Sequence, residues 1–427
     1  LQSTLPNSII LNYGDNDTFP LWNNQEVYGV RPDVRIMNTS YLGGEWYIDE
    51  MKTRANEAAG VPFTLPRSKY WYRNDYVPVY ERVNRPVEAR EAIEFFASDD
   101  QRTKVQLSDG SSSDYLPSKT LMLPVDKQNV LRSGIVAEKD KDLIVDTVYI
   151  KLSGDYLNKG ELMIVDMLSN YDWTRPIYLT QPYIFQKFGL VDYLQFDGYA
   201  YRFVPILTPY RQAGEVGRID PEYAVPLLLD VFRYGNLDDE KVYSDYFTQY
   251  NLSAARAREA FARVAKELLR QNRRGDEKPN FPDSLGITEA TNRELAIRLL
   301  DEGMRRMPPA QVRYTSNNTL PFIEAYYAAG AADKGDALML DYARNLMEYV
   351  DYYFQFDGWQ YDSITDALDE KLDLLGNLYS MAGYLKRDAV LTELNAYYRS
   401  LGVTEEELIQ PDSAHLDYEV SDTAAVN

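Results

Sequence analysis

The hydrophobic periodicity of the chain changes once, near Pro221, and that change constrains its fold more than any single motif. Before it, short apolar runs of strand type alternate with helical spacings; beyond it, helical spacings alone remain. The run Ser8-Ile9-Ile10-Leu11-Asn12 is closed by Gly14, and Val34-Arg35-Ile36-Met37 is bounded by Pro32 and Asn38, so both are expected as strands. Between them, 19–28 has helical spacing with Thr18 or Asp17 as N-cap and Pro20 in the first turn. A second helix is expected over 45–59, with Trp46, Ile48, Met51 and Ala55 on its apolar face. Residues 61–118 are irregular, with a helix over 86–97 and an exposed polar loop over 108–113. A third unit follows, with a strand over 143–152, a helix over 160–170 and a strand over 177–179. Strand-helix alternation of this kind favours a mostly parallel, Rossmann-like sheet with flanking helices.

Beyond Pro221, amphipathic helices are expected near 222–236, 253–272, 288–307, 319–329, 334–354, 364–384 and 387–401. Small residues at Ala325, Ala328, Ala329, Gly376, Ala382 and Gly383 suit close helix pairing, as in a degenerate tetratricopeptide-like array without a clean repeat. The fold class expected is therefore α/β followed by all-α. Residues 1–215 form the Rossmann-like domain, and 216–427 the tetratricopeptide-like domain with a polar C-terminal tail.

Composition narrows the chemistry. A chain of 427 residues that is 45% hydrophobic can bury more than one core. A net charge of -21 repels phosphate backbones and anionic headgroups, which argues against nucleic acid. There is no cysteine, and the one histidine, His415, stands in the polar tail. Thiolate and imidazole metal sites, and Ser-His or Cys-His nucleophile systems, are thereby disfavoured unless His415 folds back. No apolar run is long enough to span a bilayer, and the start has neither signal-peptide features nor an initiator Met. A piece of a longer chain, with the missing part upstream, is the expectation.

The densest polar cluster is Gly14-Asp15-Asn16-Asp17-Thr18, where the first strand gives way to the first helix. In an open α/β sheet this is where ligands collect, and two carboxylates beside an amide can hold a cation or a sugar hydroxyl. Asp15 and Asp17 are thus weak metal candidates, in a tripeptide shared with nucleotide-sugar transferases but common by chance. Turn and cap chemistry is the alternative. A helix needs one cap rather than three, so Asp15, Asn16 and Asp17, with Trp22, are expected to line an exposed pocket or an interface.

The 36 tyrosines, and the gathering of Trp22, Trp46, Tyr47, Tyr70, Trp71 and Tyr72 near the start, suit sugar or peptide contacts, although most such rings serve packing. Tyr349, Tyr352, Tyr353, Phe354, Phe356, Trp359 and Tyr361 are expected to form the seam between two helices. Asp166 and Arg175 are expected as a structural ion pair. Asn317-Asn318-Thr319 is a glycosylation sequon that matters only in a eukaryotic source.

Longer strings carry a resemblance. Ile10-Leu11-Asn12-Tyr13-Gly14-Asp15-Asn16-Asp17-Thr18-Phe19-Pro20-Leu21-Trp22 is followed by Gln25-Glu26-Val27-Tyr28-Gly29-Val30-Arg31-Pro32-Asp33-Val34-Arg35, Asn38-Thr39-Ser40-Tyr41-Leu42 and Glu45-Trp46-Tyr47-Ile48. Further on stand Glu161-Leu162-Met163-Ile164-Val165-Asp166, Trp173-Thr174-Arg175-Pro176-Ile177-Tyr178 and Gly198-Tyr199-Ala200-Tyr201-Arg202-Phe203-Val204-Pro205. Together these resemble a bacterial family of large membrane proteins of protein O-mannosyltransferase-like type. That family is related to the vertebrate transmembrane O-mannosyltransferase of plexin-type domains.

The resemblance implies a membrane domain upstream that uses a lipid-linked sugar and carries the catalytic carboxylate, followed by a soluble region like this one. It transfers no catalytic residue to this chain and implies no cofactor. It implies the periplasmic side of the inner membrane, with the protein's own membrane domain, an acceptor protein or peptide, and possibly a sugar as partners. Arg31, Glu45 and Trp46 join Asp15, Asn16, Asp17, Thr18 and Trp22 as ligand or interface candidates. Two other readings stand beside this one: a non-catalytic scaffold of an envelope assembly and, more weakly, a nucleotide-sugar enzyme using Asp15 and Asp17.

Overall fold

A computed structural model describes residues 1–403 apart from 84, 107–109, 209–214, 247–252 and 277. The polar tail with His415, and 108–109 of the expected polar loop, lie outside the described residues. The chain divides into two compact units, Leu1–Leu227 and Leu228–Asn427. The first is α/β and the second helical, so the fold class is α/β followed by all-α.

The first unit is built on a five-stranded sheet. In chain order its strands are β1 (Ile9–Asn12) and β2 (Arg35–Asn38), then, after smaller sheets, β10 (Ile177–Leu179), β11 (Leu194–Phe196) and β12 (Tyr201–Phe203). Their spatial order is β11-β12-β10-β1-β2. β1 runs parallel to both β10 and β2, with Ile10 opposite Tyr178 and Ile36, whereas β12 is antiparallel to β10 and β11. The Rossmann-like expectation thus describes the three adjacent parallel strands β10, β1 and β2, and the flank beyond β10 is antiparallel. Every residue of these five strands is buried, so β1 and β10 read as short apolar runs, while β2, β11 and β12 bury Arg35, Gln195 and Arg202 among apolar neighbours.

The intervening strands make three smaller sheets. β3 (Tyr76–Pro78) pairs with β9 (Tyr156–Asn158), β4 (Val87–Glu88) with β7 (Thr120–Pro124), β5 (Lys104–Gln106) with β6 (Ser112–Asp114), and β7 also with β8 (Thr147–Lys151). The expected polar loop therefore yields to β6 over its last two residues.

Five helices flank the sheets: α1 (Gly14–Glu26), α2 (Glu45–Met51), α3 (Ala89–Ala97), α4 (Lys127–Arg132) and α5 (Lys159–Ser169). α5 is almost wholly buried and is fixed at its start by a capping box between Asn158 and Glu161. α2 stops at Met51 instead of reaching 59. The reason is Gly60, whose backbone lies so close to Lys52 that an added Cβ would stand 2.3 Å from the Lys52 carbonyl oxygen. The chain must turn back there, and Asn56 takes a left-handed φ of 49°. A short helix, α6 (Pro221–Pro226), belongs to this unit, tied to the N-terminal segment by the Tyr223 hydroxyl donating to the Ser3 carbonyl at 3.0 Å.

The second unit carries α7 (Ser253–Arg274), α8 (Asn292–Arg306), α9 (Ser316–Ala328), α10 (Ala332–Tyr353), α11 (Gly358–Tyr384) and α12 (Asp388–Ser400). Each packs on its successor, and α7 also meets α9 and α10 also meets α12, as expected of a layered helical array. No strand occurs among its described residues. Gly303 admits a close approach, since a Cβ there would touch the Phe261 and Phe322 rings at 3.0 Å. Arg258 is fully buried without a carboxylate partner among the described residues, and its guanidinium donates to the carbonyls of Met307, Val312 and Arg313 and to Asn318 Oδ1, which fixes the loop between α8 and α9.

Candidate functional site

Because β1, β2 and β10 are parallel, their carboxyl ends lie together, and the loops that leave them converge on one edge of the first unit. β1 and β2 end side by side at the paired residues Asn12 and Asn38, both fully buried. Asn12 Nδ2 donates to Thr18 Oγ1, which donates onward to the Gly14 carbonyl at 2.7 Å, and Thr39 Oγ1 donates to the Asn12 carbonyl at 2.9 Å. Asn12 Oδ1 and Asn38 Nδ2 have no partner among the described residues, although buried polar atoms of this kind are normally paired.

Gly14, with φ of 72°, turns the chain directly into α1, which begins five residues before the expected 19 and ends at Glu26. The N-cap position falls on Tyr13, and no side chain caps the helix. The expectation of Asp17 or Thr18 as N-cap is thereby corrected. Asp15 and Asp17 instead serve neighbouring loops. Asp15 Oδ1 accepts from the Tyr41 hydroxyl at 2.8 Å, and Asp17 Oδ2 accepts from Thr180 Oγ1 at 2.7 Å. The bond to Asp15 pushes the Tyr41 phenol above its ordinary pKa. Asp15 and Asn16 are exposed, Asp17 half-buried and Thr18 buried. Both acids lie in the first turn of α1, where the helix dipole favours negative charge.

Rings extend from this cluster. Phe19 meets Trp22 at 6.0 Å, Trp22 meets Tyr41 at 6.4 Å, Tyr41 meets Trp46 at 6.4 Å, and Trp46 stands edge-on to Tyr47 at 5.4 Å. Trp22 packs partly against the core cluster of Ile10, Val34, Ile36, Tyr178 and Ala200. Trp46 is 60% exposed and Phe19 52% exposed, so the outer rings are uncovered apolar surface. Tyr13 and Tyr183 add a further exposed pair, edge to face at 5.7 Å.

The remaining candidates are occupied elsewhere. Glu45 Oε1 accepts from Lys159 Nζ at 2.8 Å and from the Tyr72 amide at 3.1 Å, and Lys159 also reaches Asp75 at 2.8 Å. The hydrogen bond from Lys159 lowers the Glu45 carboxyl to about 2. Arg31 lies at the opposite end of the sheet, before β2. Its guanidinium binds Asp33 at 2.7 Å and the carbonyls of Thr4 and Leu5, clamping the N-terminal segment, and it is not part of the cluster.

The edge thus gathers Asp15, Asn16, Asp17, Thr18, Trp22 and Trp46. It adds Asn12, Tyr13, Phe19, Asn38, Tyr41, Thr180 and Tyr183, which sequence reasoning did not single out. Tyr41 and Asn38 stand in a family-like string and were open to recognition; Thr180 is brought in only by the pairing of β10 with β1. Carboxylates, hydroxyls and uncovered ring faces suit a hydroxyl-rich or polypeptide ligand. Asp15 and Asp17 turn to different partners, and among the described residues no group of three or more His, Cys, Asp or Glu is placed to hold a metal.

Two other expectations are corrected. Asp166 and Arg175 do not pair. Asp166, fully buried, accepts from the Thr64 and Leu65 amides and from Thr64 Oγ1, while Arg175 donates to the carbonyls of Asn7, Ala59 and Gly60. Both groups are consumed by backbone that would otherwise be unsatisfied. The aromatic run from Tyr349 to Tyr361 is no buried seam, since Tyr352, Phe354, Trp359 and Tyr361 are exposed.

The family model for TMEM260-associated domain 2 matches residues 1–223, which is more than half of the chain and nearly the whole first unit. No curated protein and no solved structure matches the chain.

Proposed function

The chain belongs to the TMEM260-associated domain 2 family, and from that premise we propose that it is the extracytoplasmic part of a membrane-embedded glycosyltransferase that uses a lipid-linked sugar. In this reading it lies on the periplasmic side of the inner membrane. The first unit meets the catalytic membrane domain through the carboxyl edge of its sheet, and the helical unit presents the acceptor protein. The observation that supports it is the uncovered edge itself. Asp15, Asn16, Phe19 and Trp46 stand exposed on a rigid sheet, and the two carboxylates of the cluster do not cap the helix. An edge of this kind suits the docking of a partner surface.

The reading is tested by introducing Asp15→Asn with Asp17→Asn, and separately Trp46→Ala, into the full-length protein. Glycosylation of its acceptor should fall by an order of magnitude or more, while the melting temperature of this chain moves by a few degrees at most, since surface changes shift stability by about 0.5 kcal/mol or less. Undiminished glycosylation in both variants would remove the edge from the mechanism.

A second reading, a non-catalytic scaffold of an envelope assembly, is favoured by the way Asp15, Asp17 and Glu45 are each held by separate partners. It predicts that the same substitutions dissolve the assembly without altering any glycan.

A further inference from the structure

α10 ends at Tyr353 and α11 begins at Gly358, and around the connection Tyr352, Phe354 and Trp359 are exposed. Tyr349 and Tyr352 lie within 6.1 and 5.9 Å of the Tyr353 ring, and Tyr352 meets Phe356 edge-on at 5.1 Å. Trp359, in the first turn of α11, is 76% exposed. A large ring left so open at the head of a long helix calls for a cover.

The charge around these rings selects what can cover them. Residues 348–373 contain eight acidic side chains and one basic one, Lys371, whose ammonium is taken by the neighbouring Glu370 at 3.0 Å. Along α11, Trp359, Asp362, Asp366, Asp369 and Asp373 recur at spacings of three and four, so they share one helix face. All five are exposed, and none of the four aspartates makes a salt bridge among the described residues. Like charges at such spacing repel, so this face disfavours its own helix. The stripe spans about 20 Å at 1.5 Å per residue, longer than one sugar ring can bridge.

We propose that this face, headed by Trp359, is a docking surface for a basic polypeptide segment carrying Lys or Arg at helical or extended spacing. The ring offers its face to a cation, and the aspartates continue the same attraction down the helix. An anionic membrane is repelled by the same charges. The inference deepens the reading in which the helical unit presents an acceptor, yet its surface lies wholly within that unit and is testable without the transferase.

The test uses the whole chain and a labelled Lys/Arg-rich peptide of about 15 residues, with a Glu-rich peptide, an oligomannoside and zwitterionic vesicles as competitors. The basic peptide should bind at low salt and be released by salt. Trp359→Ala, and separately Asp362→Asn with Asp366→Asn and Asp369→Asn, should each weaken it about tenfold or more, with melting temperature unchanged or raised. Asp15→Asn with Asp17→Asn should leave it unchanged, which separates failure here from failure of the transferase reading. Equal binding by the α11 variants would show mere attraction to a chain of charge -21 and overturn the proposal. So would preference for the oligomannoside or the vesicles, or a fall in melting temperature on removing the aspartate charges.

Discussion

Arg202 is the most consequential single side chain of the first unit, and its removal is expected to be costly in a pH-dependent way. It is 4% exposed. Its Nε lies 2.8 Å from Asp197 Oδ2, and Nη2 donates to Asp197 Oδ1 at 3.1 Å. Nη1 donates to the Gly134 carbonyl at 2.9 Å, and the guanidinium lies 4.6 Å from the centre of the Tyr223 ring. Asp197 is 1% exposed, and burial raises its carboxyl pKa against the opposing pull of Arg202. Arg202→Met leaves that carboxylate buried without its cation, facing only neutral donors such as Gln195 Nε2 at 2.9 Å, a change that costs about 3–5 kcal/mol. For a unit of this size each kcal/mol corresponds to about 2–4 °C, so the melting temperature should fall by roughly 6–20 °C.

Without the guanidinium, the folded-state pKa of Asp197 rises further above its unfolded value. The variant's deficit is therefore small in acid and grows as pH rises from the parent's folded-state value towards the variant's higher one, both above the unfolded value of about 3.9. Calorimetry of both proteins from neutral pH down to about 4 should show the gap closing. Asp197→Leu in the Arg202→Met background should recover a substantial part of the loss, because an apolar pair often replaces a buried ion pair without penalty. A pH-independent deficit, or a double variant no more stable than Arg202→Met alone, would refute the account of this pair.

Two further outcomes follow from geometry. Glu45 has its pKa lowered from 4.5 to about 2 by Lys159, so its stabilising contribution is full above pH 4.5 and is lost as pH falls towards 2. Glu45→Gln should accordingly flatten the acid limb of the stability profile in that window, and an unchanged limb would show that the Lys159 contact is not formed in solution. Gly60→Ala would place a Cβ 2.3 Å from the Lys52 carbonyl oxygen and 2.7 Å from its carbon; backbone must move, at about 1–3 kcal/mol, read as a lower denaturation midpoint with unchanged slope. An unshifted midpoint would mean that the close approach after α2 is absent.

The helical half was the more legible half because its signal is local. Expected helices at 253–272, 334–354 and 387–401 became Ser253–Arg274, Ala332–Tyr353 and Asp388–Ser400, since periodicity of 3.6 and flanking Gly or Asp fix such elements without reference to distant chain. In the α/β half, β1 and β10 were visible as apolar runs, but the antiparallel placement of β11 and β12 was not, because strand direction is set by pairing partners rather than by composition. The same reasoning explains the site. Asp15 and Asp17 were visible as residues, whereas Tyr41 and Thr180, which occupy their carboxylates, are separated from them by 26 and 163 positions. The aromatic run near Trp359 was misplaced for a different reason. Ring content signals apolar surface but not whether a neighbour covers it, and the interleaved Asp351, Asp357 and Asp362 are the sign of an exposed face.

The family-like strings sort themselves once contacts are known. Thr18, Asn38, Asp166, Arg175 and Arg202 stand in those strings, and each is spent on backbone groups or on a buried network that holds the sheet and its crossings. Such residues answer for the fold. Asp15, Asn16, Phe19 and Trp46 stand in the same strings, yet they are exposed, and replacing them removes little that the unit needs for its own stability. Their placement is also not scattered: all four lie in the first two turns of the helices that follow β1 and β2, towards the carboxyl edge of the sheet. The carboxyl edge of a parallel sheet is where ligands of open α/β folds collect, and this is the reason to direct the first substitutions to Asp15, Asp17 and Trp46.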